Sequence, residues 1–277
     1  MQLPDVTLCC VDTRDPALAL WALQRCMAQA QFAQVLLFSR TSLVPAPPDG
    51  VHVIDVQVND IEAYSRFMLR GLVPHVHTSH VLVVQWDGFV RDAASWDPSF
   101  LQYDYIGAPW REAVAGREVG NGGFSLRSRR LLQALLDPAV VITHPEDESI
   151  CVVNHKLLEG RHGVRIAPVD VARHFSYERV EPPAPTFGFH GLFNFPRELS
   201  GSELSGLIDA LPEHLTRGLD AHDLCAMLIR AGQLDSAGVL LDKRWRIGMR
   251  DRRTLRLAWR LRVARWRAGR ATRRTAM

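Results

Sequence analysis

The stretch from Val81 to Gly88, VLVVQWDG, decides how the rest of the sequence is interpreted. Four consecutive aliphatic residues are typical of a strand that is buried on both faces, in the middle of an α/β sheet. The run then ends on a polar residue, an aromatic, a carboxylate and a glycine. Open α/β sheets bind their ligands at the carboxyl ends of their strands, so Asp87 is expected at a ligand cleft. Gly88 allows the backbone to turn sharply behind it.

Two interpretations of Asp87 follow from this position. Mg²⁺ and Mn²⁺ take oxygen ligands and share them with substrate phosphates, so a divalent cation would need such a carboxylate. Asp-Gly is also a common turn signal, in which case Asp87 only caps a turn. The stretch by itself is compatible with both.

The pattern on either side predicts an α/β fold with a Rossmann-like, mostly parallel sheet flanked by helices. Beyond Pro196 only helical patterns follow, so we expect a domain at 1–196 and a helical C-terminal extension at 197–277. The elements expected before Val81 are strands at 6–11, 34–38 and 51–58 and helices at 16–31 and 60–72. After Val81 we expect a helix from 144 to about 159 and strand-like structure at 164–177.

The composition argues against a membrane-spanning protein and against one that is stabilised by disulfides. The 277 residues are 47% hydrophobic, yet no run approaches the ~20 apolar residues of a membrane span. The N-terminus lacks a basic region followed by an apolar core, so a cytoplasmic protein is expected. The five cysteines show no metal-ligand spacing, and their odd number argues against a disulfide framework. Buried free thiols are therefore predicted.

The charge is distributed unevenly along the chain. From Lys243 onward there are fourteen Lys or Arg and one acid, Asp251, whereas the remainder is acidic. A basic helix with tryptophans suits an anionic membrane surface, which would fit peripheral work on a lipid-linked glycan at the inner membrane. Nucleic acid would be attracted by the same charge, but no binding motif supports it. The third interpretation is a solvated charged tail.

Three further motifs have both a structural and a chemical interpretation. Gly120-Asn121-Gly122-Gly123 is either a bulged turn or a loop that lets backbone approach a ligand closely; it matches neither the Walker nor the dinucleotide pattern. Glu146-Asp147-Glu148 is either a solvated helix start or the source of a general base. His190, between aromatics and glycines, is either a packed core residue or a ligand that suits Mn²⁺ or Zn²⁺.

Together these motifs resemble a bacterial group of GT-A glycosyltransferase-like domains, more remotely similar to the fringe and β-1,3-galactosyltransferase enzymes. The resemblance covers roughly residues 5–196 and leaves the basic tail unexplained. It is carried by five motifs in order: QWDG at 85–88, YIGAPW at 105–110, GNGGFSLR at 120–127, HPED at 144–147 and FGFHG at 187–191.

The resemblance implies roles for particular residues. Asp87 matches the last acid of the family's Asp-x-Asp metal motif, whose first position is Gln85 here, and His190 matches the histidine that completes the metal site. Asp147 matches the catalytic base, with Glu146 as the substitute if the register is shifted by one. The residues implied in nucleotide-sugar binding are Val11, Asp12, Thr13, Arg14, Tyr64, Arg66, Gln85, Trp86, Asn121, Gly122 and Gly123.

The resemblance therefore implies a nucleotide-sugar-dependent glycosyltransferase, metal-dependent through Mn²⁺ or Mg²⁺ and inverting. Its acceptor would be a hydroxyl of a glycan or lipid-linked glycan in surface polysaccharide or glycolipid synthesis. Because Gln85 removes one anionic ligand, a catalytically silent nucleotide- or carbohydrate-binding module is the alternative. A nucleotidyltransferase would normally carry a basic glycine-rich loop near the N-terminus, and none is present.

Overall fold

The computed structural model describes residues 1–114 and 116–275, without the side chains of 113, 114 and 271–275. The chain divides into two compact units, Met1–His190 and Gly191–Met277. Each unit is described by itself below.

The first unit is built on a six-stranded sheet with the order β3-β2-β1-β4-β9-β6. The four strands β3, β2, β1 and β4 are parallel to one another, and β9 is antiparallel to β4. Helices flank this sheet, so the predicted α/β class is confirmed. The strands in chain order are β1 Gln2–Val11, β2 Gln31–Ser39, β3 Val51–Asp55, β4 His80–Val84, β5 Gly88–Val90, β6 Tyr105–Ile106, β7 Pro109–Val114, β8 Arg117–Val119, β9 Phe124–Ser128, β10 Ser176–Tyr177 and β11 Gly188–His190.

The apolar run at 81–84 lies in strand β4, and all five residues of this strand are buried. It lies between β1 and β9, which explains why its sequence is continuously apolar and does not alternate. The chain order of the sheet reverses between β1 and β4. In open α/β sheets this reversal produces a crevice at the carboxyl ends of the two strands.

A second, three-stranded sheet has the order β10-β11-β5. The antiparallel pairing of β5 with β11 places Gly88 opposite His190. A Cβ atom on Gly88 would lie 2.7 Å from the carbonyl oxygen of Phe189. Glycine is therefore needed at this position because β11 approaches closely, which the sequence pattern alone did not indicate.

Two segments differ from the expectation drawn from their pattern. Residues 164–177 have a strand-like composition, but Val169–Phe175 is a helix that starts after Pro168 and buries Ala172 and Phe175. The single helix expected from 144 to about 159 is interrupted at Asn154. The Asn154 side chain there bonds to the backbone of Val141 and Ser149, and so competes with the helical hydrogen bonds.

The described chain contains eleven α-helices, five 3₁₀ segments and two π-helical segments. The α-helices are α1 Pro16–Gln29, α2 Ile61–Arg66, α3 Arg129–Ala134, α4 Glu146–Glu148, α5 His155–His162, α6 Val169–Phe175, α7 Phe195–Glu198, α8 Gly201–Ala210, α9 Leu219–Arg230, α10 Leu234–Arg246 and α11 Arg252–Thr275. The 3₁₀ segments are Thr41–Leu43, Ala93–Ser95, Pro98–Gln102, Leu192–Asn194 and Glu213–Thr216, and the π-helical segments are Phe67–Gly71 and Ser149–Val153.

The second unit is helical throughout its described part, as its sequence predicts. Helix α8 begins with a capping box in which the Ser200 and Glu203 side chains each accept the other's backbone N–H. The five cysteines of the chain are buried and unbridged, which confirms the prediction of free thiols. Among the described residues, no helix has the length and apolar character that crossing a bilayer requires.

Candidate active site

The predicted site residues of the first unit gather at one edge of the six-stranded sheet. Val84, the last residue of β4, pairs with Phe124, the first residue of antiparallel β9. The turn after β4 and the glycine loop before β9 therefore meet, and the backbone N–H of Gln85 donates to the Gly123 carbonyl at 2.8 Å. The loop that follows β1 emerges at the same edge because β1 and β4 are parallel.

Asp87 and His190 lie in contact at this edge. Nε2 of His190 is 3.2 Å from Oδ1 of Asp87 and 3.1 Å from Oε1 of Gln85. Gln85 and His190 are 105 residues apart in sequence. The β5–β11 pairing brings them together, because it aligns His190 with Gly88, the residue next to Asp87.

The other ring nitrogen of His190 lies near a second carboxylate. Nδ1 of His190 lies 3.5 Å from Oε1 of Glu178, which follows β10. Burial would lower the pKa of His190, but the charge of Asp87, its hydrogen bond and the contact with Glu178 together raise that pKa well above its ordinary value. His190 therefore has a carboxylate oxygen within 3.5 Å of each of its ring nitrogens.

A cavity of about 250 Å³ opens next to this cluster. Four of its lining residues, Val11, Asp12, Thr13 and Arg14, are those implied in holding the nucleoside, and Tyr64 of α2 is a fifth. The loop is shaped by Oδ1 of Asp12, which accepts the backbone N–H groups of Arg14 and Asp15 at 2.8 Å each. Burial raises the pKa of Asp12.

Tyr64 connects this cavity to the Asp87–His190 pair. Its ring lines the cavity, and its hydroxyl oxygen accepts a hydrogen bond from Nε2 of Gln85 at 2.9 Å. Gln85 thus uses its amide nitrogen toward Tyr64 and its amide oxygen toward His190. A ligand that extends from the cavity toward the Asp87–His190 pair would pass along these side chains.

The glycine loop packs tightly between two groups of polar side chains. A Cβ atom on Gly123 would lie 2.1 Å from Nε2 of His190, and one on Gly122 would lie 2.0 Å from Oε1 of Glu146. Asn121 has a φ of 61°, a left-handed conformation that asparagine tolerates better than most residues. The glycines are thus needed for close packing against His190 and Glu146, which the bulged-turn interpretation does not require.

The acidic pair of α4 lies on the other side of this loop, and its two members differ. Glu146 is buried, and its Oε1 accepts a hydrogen bond from Nη2 of Arg127 at 2.9 Å. The Arg127 side chain is fully buried and its guanidinium lies 5.6 Å from the centre of the Tyr105 ring. Asp147 is half-buried, and its Oδ2 accepts the backbone N–H of Gly122 at 3.1 Å.

The surroundings of Asp147 raise the pKa of its carboxyl group. Burial raises its pKa first of all, and the negative charge of Glu146 raises it further. Hydrogen bonds from the backbone of Glu148 and Gly122, and the charge of Arg127, oppose that shift. A carboxylate whose pKa is raised binds a proton more readily near neutral pH, as a general base requires.

The structure thus brings most of the implied residues together, whereas Arg66 stands apart from the cavity. Arg66 is exposed on α2 and is absent from the lining of the cavity that contains Tyr64. Trp86 is half-buried in the turn between β4 and β5, and its neighbours Gln85 and Asp87 make the contacts described above.

Sequence reasoning assigned no role to Arg127 or to Glu178. An arginine inside a strand bounded by Phe124 and Ser128 was the available signal for the first, because a buried guanidinium needs a carboxylate partner. No comparable signal marks Glu178. It contacts His190 because β10 is paired with β11, and a two-residue strand has no recognisable pattern.

Three atoms of the kinds that bind divalent cations lie close together in this cluster. A carboxylate oxygen of Asp87 and the amide oxygen of Gln85 each lie within 3.2 Å of Nε2 of His190. Imidazole and oxygen donors together suit Mn²⁺ better than Mg²⁺. Within residues 1–114 and 116–275, no group of three or more His, Cys, Asp or Glu side chains is arranged to hold a metal. A cation here would therefore need further ligands from its substrate.

Three comparisons with known proteins add the following. A family model described as "protein of unknown function (DUF5672)" matches residues 51–190. Among curated proteins, none matches the sequence. Crystal structures of the galactosyltransferase LgtC are similar: the complex with donor and acceptor sugar analogues has a TM-score of 0.43 at 14% identity, and an active-site mutant has 0.41 at 13%. Each similarity covers 66% of this chain and 86% of the LgtC chain.

Proposed function

We propose that this chain, which belongs to the DUF5672 family of proteins of unknown function, is a nucleotide-sugar-dependent glycosyltransferase. The matched range contains Asp87, the glycine loop, the acidic pair and His190. We assign the transfer of a sugar to a hydroxyl acceptor to this group of residues.

One observation carries the proposal: Asp87, Gln85 and His190 converge at the carboxyl edge of the sheet, beside a glycine loop that holds a carboxylate on its other side. A turn cap at Asp87 would not require a histidine from a distant strand at 3.2 Å. A core histidine would not require a glycine at 123 whose missing side chain leaves room for the imidazole. A binding site for a substrate with a charged diphosphate accounts for both.

The donor is assigned to the cavity and the loop. The cavity of about 250 Å³ is somewhat smaller than typical ligand pockets, and it suits the nucleoside part of a donor whose remainder lies outside. The diphosphate would then pass Tyr64 and Gln85 to reach Asp87 and His190. Within the described residues, the buried Oδ1 of Asn121 has no hydrogen-bond partner, so a hydroxyl of the bound sugar would satisfy it.

Asp87 and His190, with the amide oxygen of Gln85, would hold the divalent cation, which we assign as Mn²⁺. Such a cation supplies positive charge where the departing diphosphate develops negative charge. Glu178 is placed to accept a hydrogen bond from Nδ1 of His190 and so to orient the ring with Nε2 toward the site. Since the described residues hold no group of three or more His, Cys, Asp or Glu side chains around a common point, tight binding would depend on the phosphate oxygens.

Asp147 is assigned as the general base. It takes the proton of the acceptor hydroxyl while the acceptor oxygen forms a bond to the anomeric carbon. The bond from that carbon to the diphosphate oxygen breaks, and its electron pair leaves with the nucleoside diphosphate. Attack from the face opposite the leaving group inverts the configuration in a single displacement. Glu146 is not suited to this task because Arg127 already occupies its Oε1.

Replacing Asp87 tests the assignment of the site. Asp87→Ala removes the carboxylate that lies 3.2 Å from Nε2 of His190, so we expect loss of nucleoside diphosphate release from a panel of sugar donors with Mn²⁺. Asp49→Asn, an exposed acid in the loop after β2, is the matched control and should leave release unchanged. Absence of release with every donor in the wild type, with no difference in nucleotide binding between wild type and Asp87→Ala, would reject the enzyme and leave a silent binding module.

A methyl group at Gly123 tests the role of the loop. In Gly123→Ala the Cβ atom would lie 2.1 Å from Nε2 of His190, so the ring must leave its contacts with Asp87 and Gln85. We expect Mn²⁺ affinity in the presence of a nucleoside diphosphate, measured by electron paramagnetic resonance, to fall by about 10–100-fold. Gly160→Ala, where nothing lies within 4 Å of the added methyl group, is the control. Equal affinity in both variants would place the cation elsewhere.

A further inference from the structure

The outward face of α11 carries an exposed row of apolar side chains. Leu255, Trp259 and Trp266 are 55%, 67% and 57% exposed. Their spacings of four and seven residues place them on one side of the helix, since 3.6 residues make a turn. The opposite side is the one that packs, because Thr254, Leu257 and Leu261 are buried. The row is therefore not part of the core of the second unit.

Positive charge surrounds this row. Between Arg252 and Thr275 the sequence has ten arginines and no acidic residue. Arg262 falls between the two tryptophans on the same side, and the guanidinium of Arg270 lies 4.2 Å from the centre of the Trp266 ring. The acids nearby include Asp251, whose Oδ1 accepts the backbone N–H of Thr254 at the start of α11. On α10, Asp235 lies 3.8 Å from Arg265, and Asp242 lines a cavity together with Trp259.

Helix α10 extends the aromatic surface. Trp245, 39% exposed, and Trp259 both line a cavity of about 490 Å³ between α10 and α11. Leu241 and Leu261 contribute apolar walls, and Arg262 lies at the same cavity. An apolar recess beside an arginine provides room for the upper part of an acyl chain next to its anionic head group.

We infer that this face of α10 and α11 is a docking surface for an anionic lipid bilayer. Tryptophans lie at the boundary between head groups and acyl chains, while arginines extend to the phosphates. Single-stranded nucleic acid also binds arginines and aromatic rings, but it is bound in a groove that follows its backbone. The row here lies on the exposed side of a single helix, opposite its packed side, and a flat membrane surface can contact all three of its side chains. The inference is independent of the proposed glycosyl transfer.

Sedimentation of the full chain with vesicles tests this surface. We expect binding to phosphatidylglycerol–phosphatidylcholine vesicles, little binding to phosphatidylcholine alone, and release by salt. Each of Arg256→Gln and Arg262→Gln should weaken binding about fivefold. Trp259→Ala combined with Trp266→Ala should weaken it about tenfold and reduce the blue shift of tryptophan fluorescence on binding to the part that Trp245 contributes. Both tryptophans are exposed, so their loss should not impair folding.

The matched control is Leu219→Ala on α9, because Leu219 is 57% exposed and lies outside the row. It should bind vesicles as the wild type does. Failure to bind anionic vesicles, or equal binding by the double tryptophan variant, would overturn the inference. The inference would also be overturned if the chain bound a single-stranded RNA oligonucleotide more tightly than vesicles and the tryptophan replacements abolished the RNA binding. Release of nucleoside diphosphate from donors in solution is measured for the same double tryptophan variant and should be unchanged. Loss of vesicle binding is then distinguished from failure of the proposed function.

Discussion

Asp147→Asn is expected to lower kcat by about 10²–10⁴-fold, the contribution of a positioned general base. Asparagine has nearly the same shape and its amide oxygen can still accept the N–H of Gly122, but it cannot take the acceptor's proton. The measurement is steady-state release of nucleoside diphosphate. Glu148→Gln is the matched control, since Glu148 is the adjacent acid and is exposed. A similar loss in both variants would contradict the assignment of Asp147.

The pH dependence gives this prediction a second readout. Burial, and then Glu146, raise the pKa of Asp147, so the wild-type activity should fall as the pH drops through a value above that of an ordinary carboxyl. The free energy of unfolding depends on pH in the opposite direction. The unfolded chain ionises this carboxyl first, so the wild type loses stability as the pH rises between its unfolded and folded pKa values. Asp147→Asn should therefore be inactive but no less stable at neutral pH.

Arg127→Met is expected to lower the free energy of unfolding by about 3–5 kcal/mol, the effect of removing one partner from a buried ion pair. Both side chains are buried, and Glu146 would keep its charge without the guanidinium at 2.9 Å. The contact of Arg127 with the Tyr105 ring would be lost as well. Urea unfolding of the purified full chain measures the change.

Two further variants isolate the cause. Adding Glu146→Gln to Arg127→Met removes the unpaired charge and should recover most of the lost stability, as a double-mutant cycle would show. Arg161→Met is the matched control, because Arg161 is 60% exposed and its pair with Asp137 lies at the surface. That change should cost less than about 1 kcal/mol. A larger loss for Arg161→Met than for Arg127→Met would refute the argument.

The fold class could be predicted because its signal is local. Each apolar run of the central sheet lies within a few consecutive residues, and the all-buried β4 is the clearest case. The segment 164–177 was harder, since its apolar residues fit both periods, and only packing of Ala172 and Phe175 on one side shows that Val169–Phe175 is a helix. When the pattern of a segment fits both a helix and a strand, the length of the segment normally distinguishes them, and this segment is too short for that.

The site could be predicted only in part. Asp87, the glycine loop and the acidic pair stand in recognisable motifs at strand and helix ends. The difference between Glu146 and Asp147 was not visible in the sequence, because it depends on which carboxylate meets Arg127 from β9. Glu178 was not visible either, since its contact with His190 depends on a pairing of two very short strands.

The sequence by itself determined that this protein has an α/β sheet with a buried central strand ending in Asp87, five unbridged thiols and a strongly basic C-terminal segment. These follow from hydrophobic pattern, residue count and charge, which need no knowledge of distant contacts. Only the tertiary structure decided that His190 meets Asp87 and that Gly122 and Gly123 separate the two carboxylate groups. Backbone pairing between β5 and β11 makes that contact, and backbone hydrogen bonds are the same whatever the side chains are.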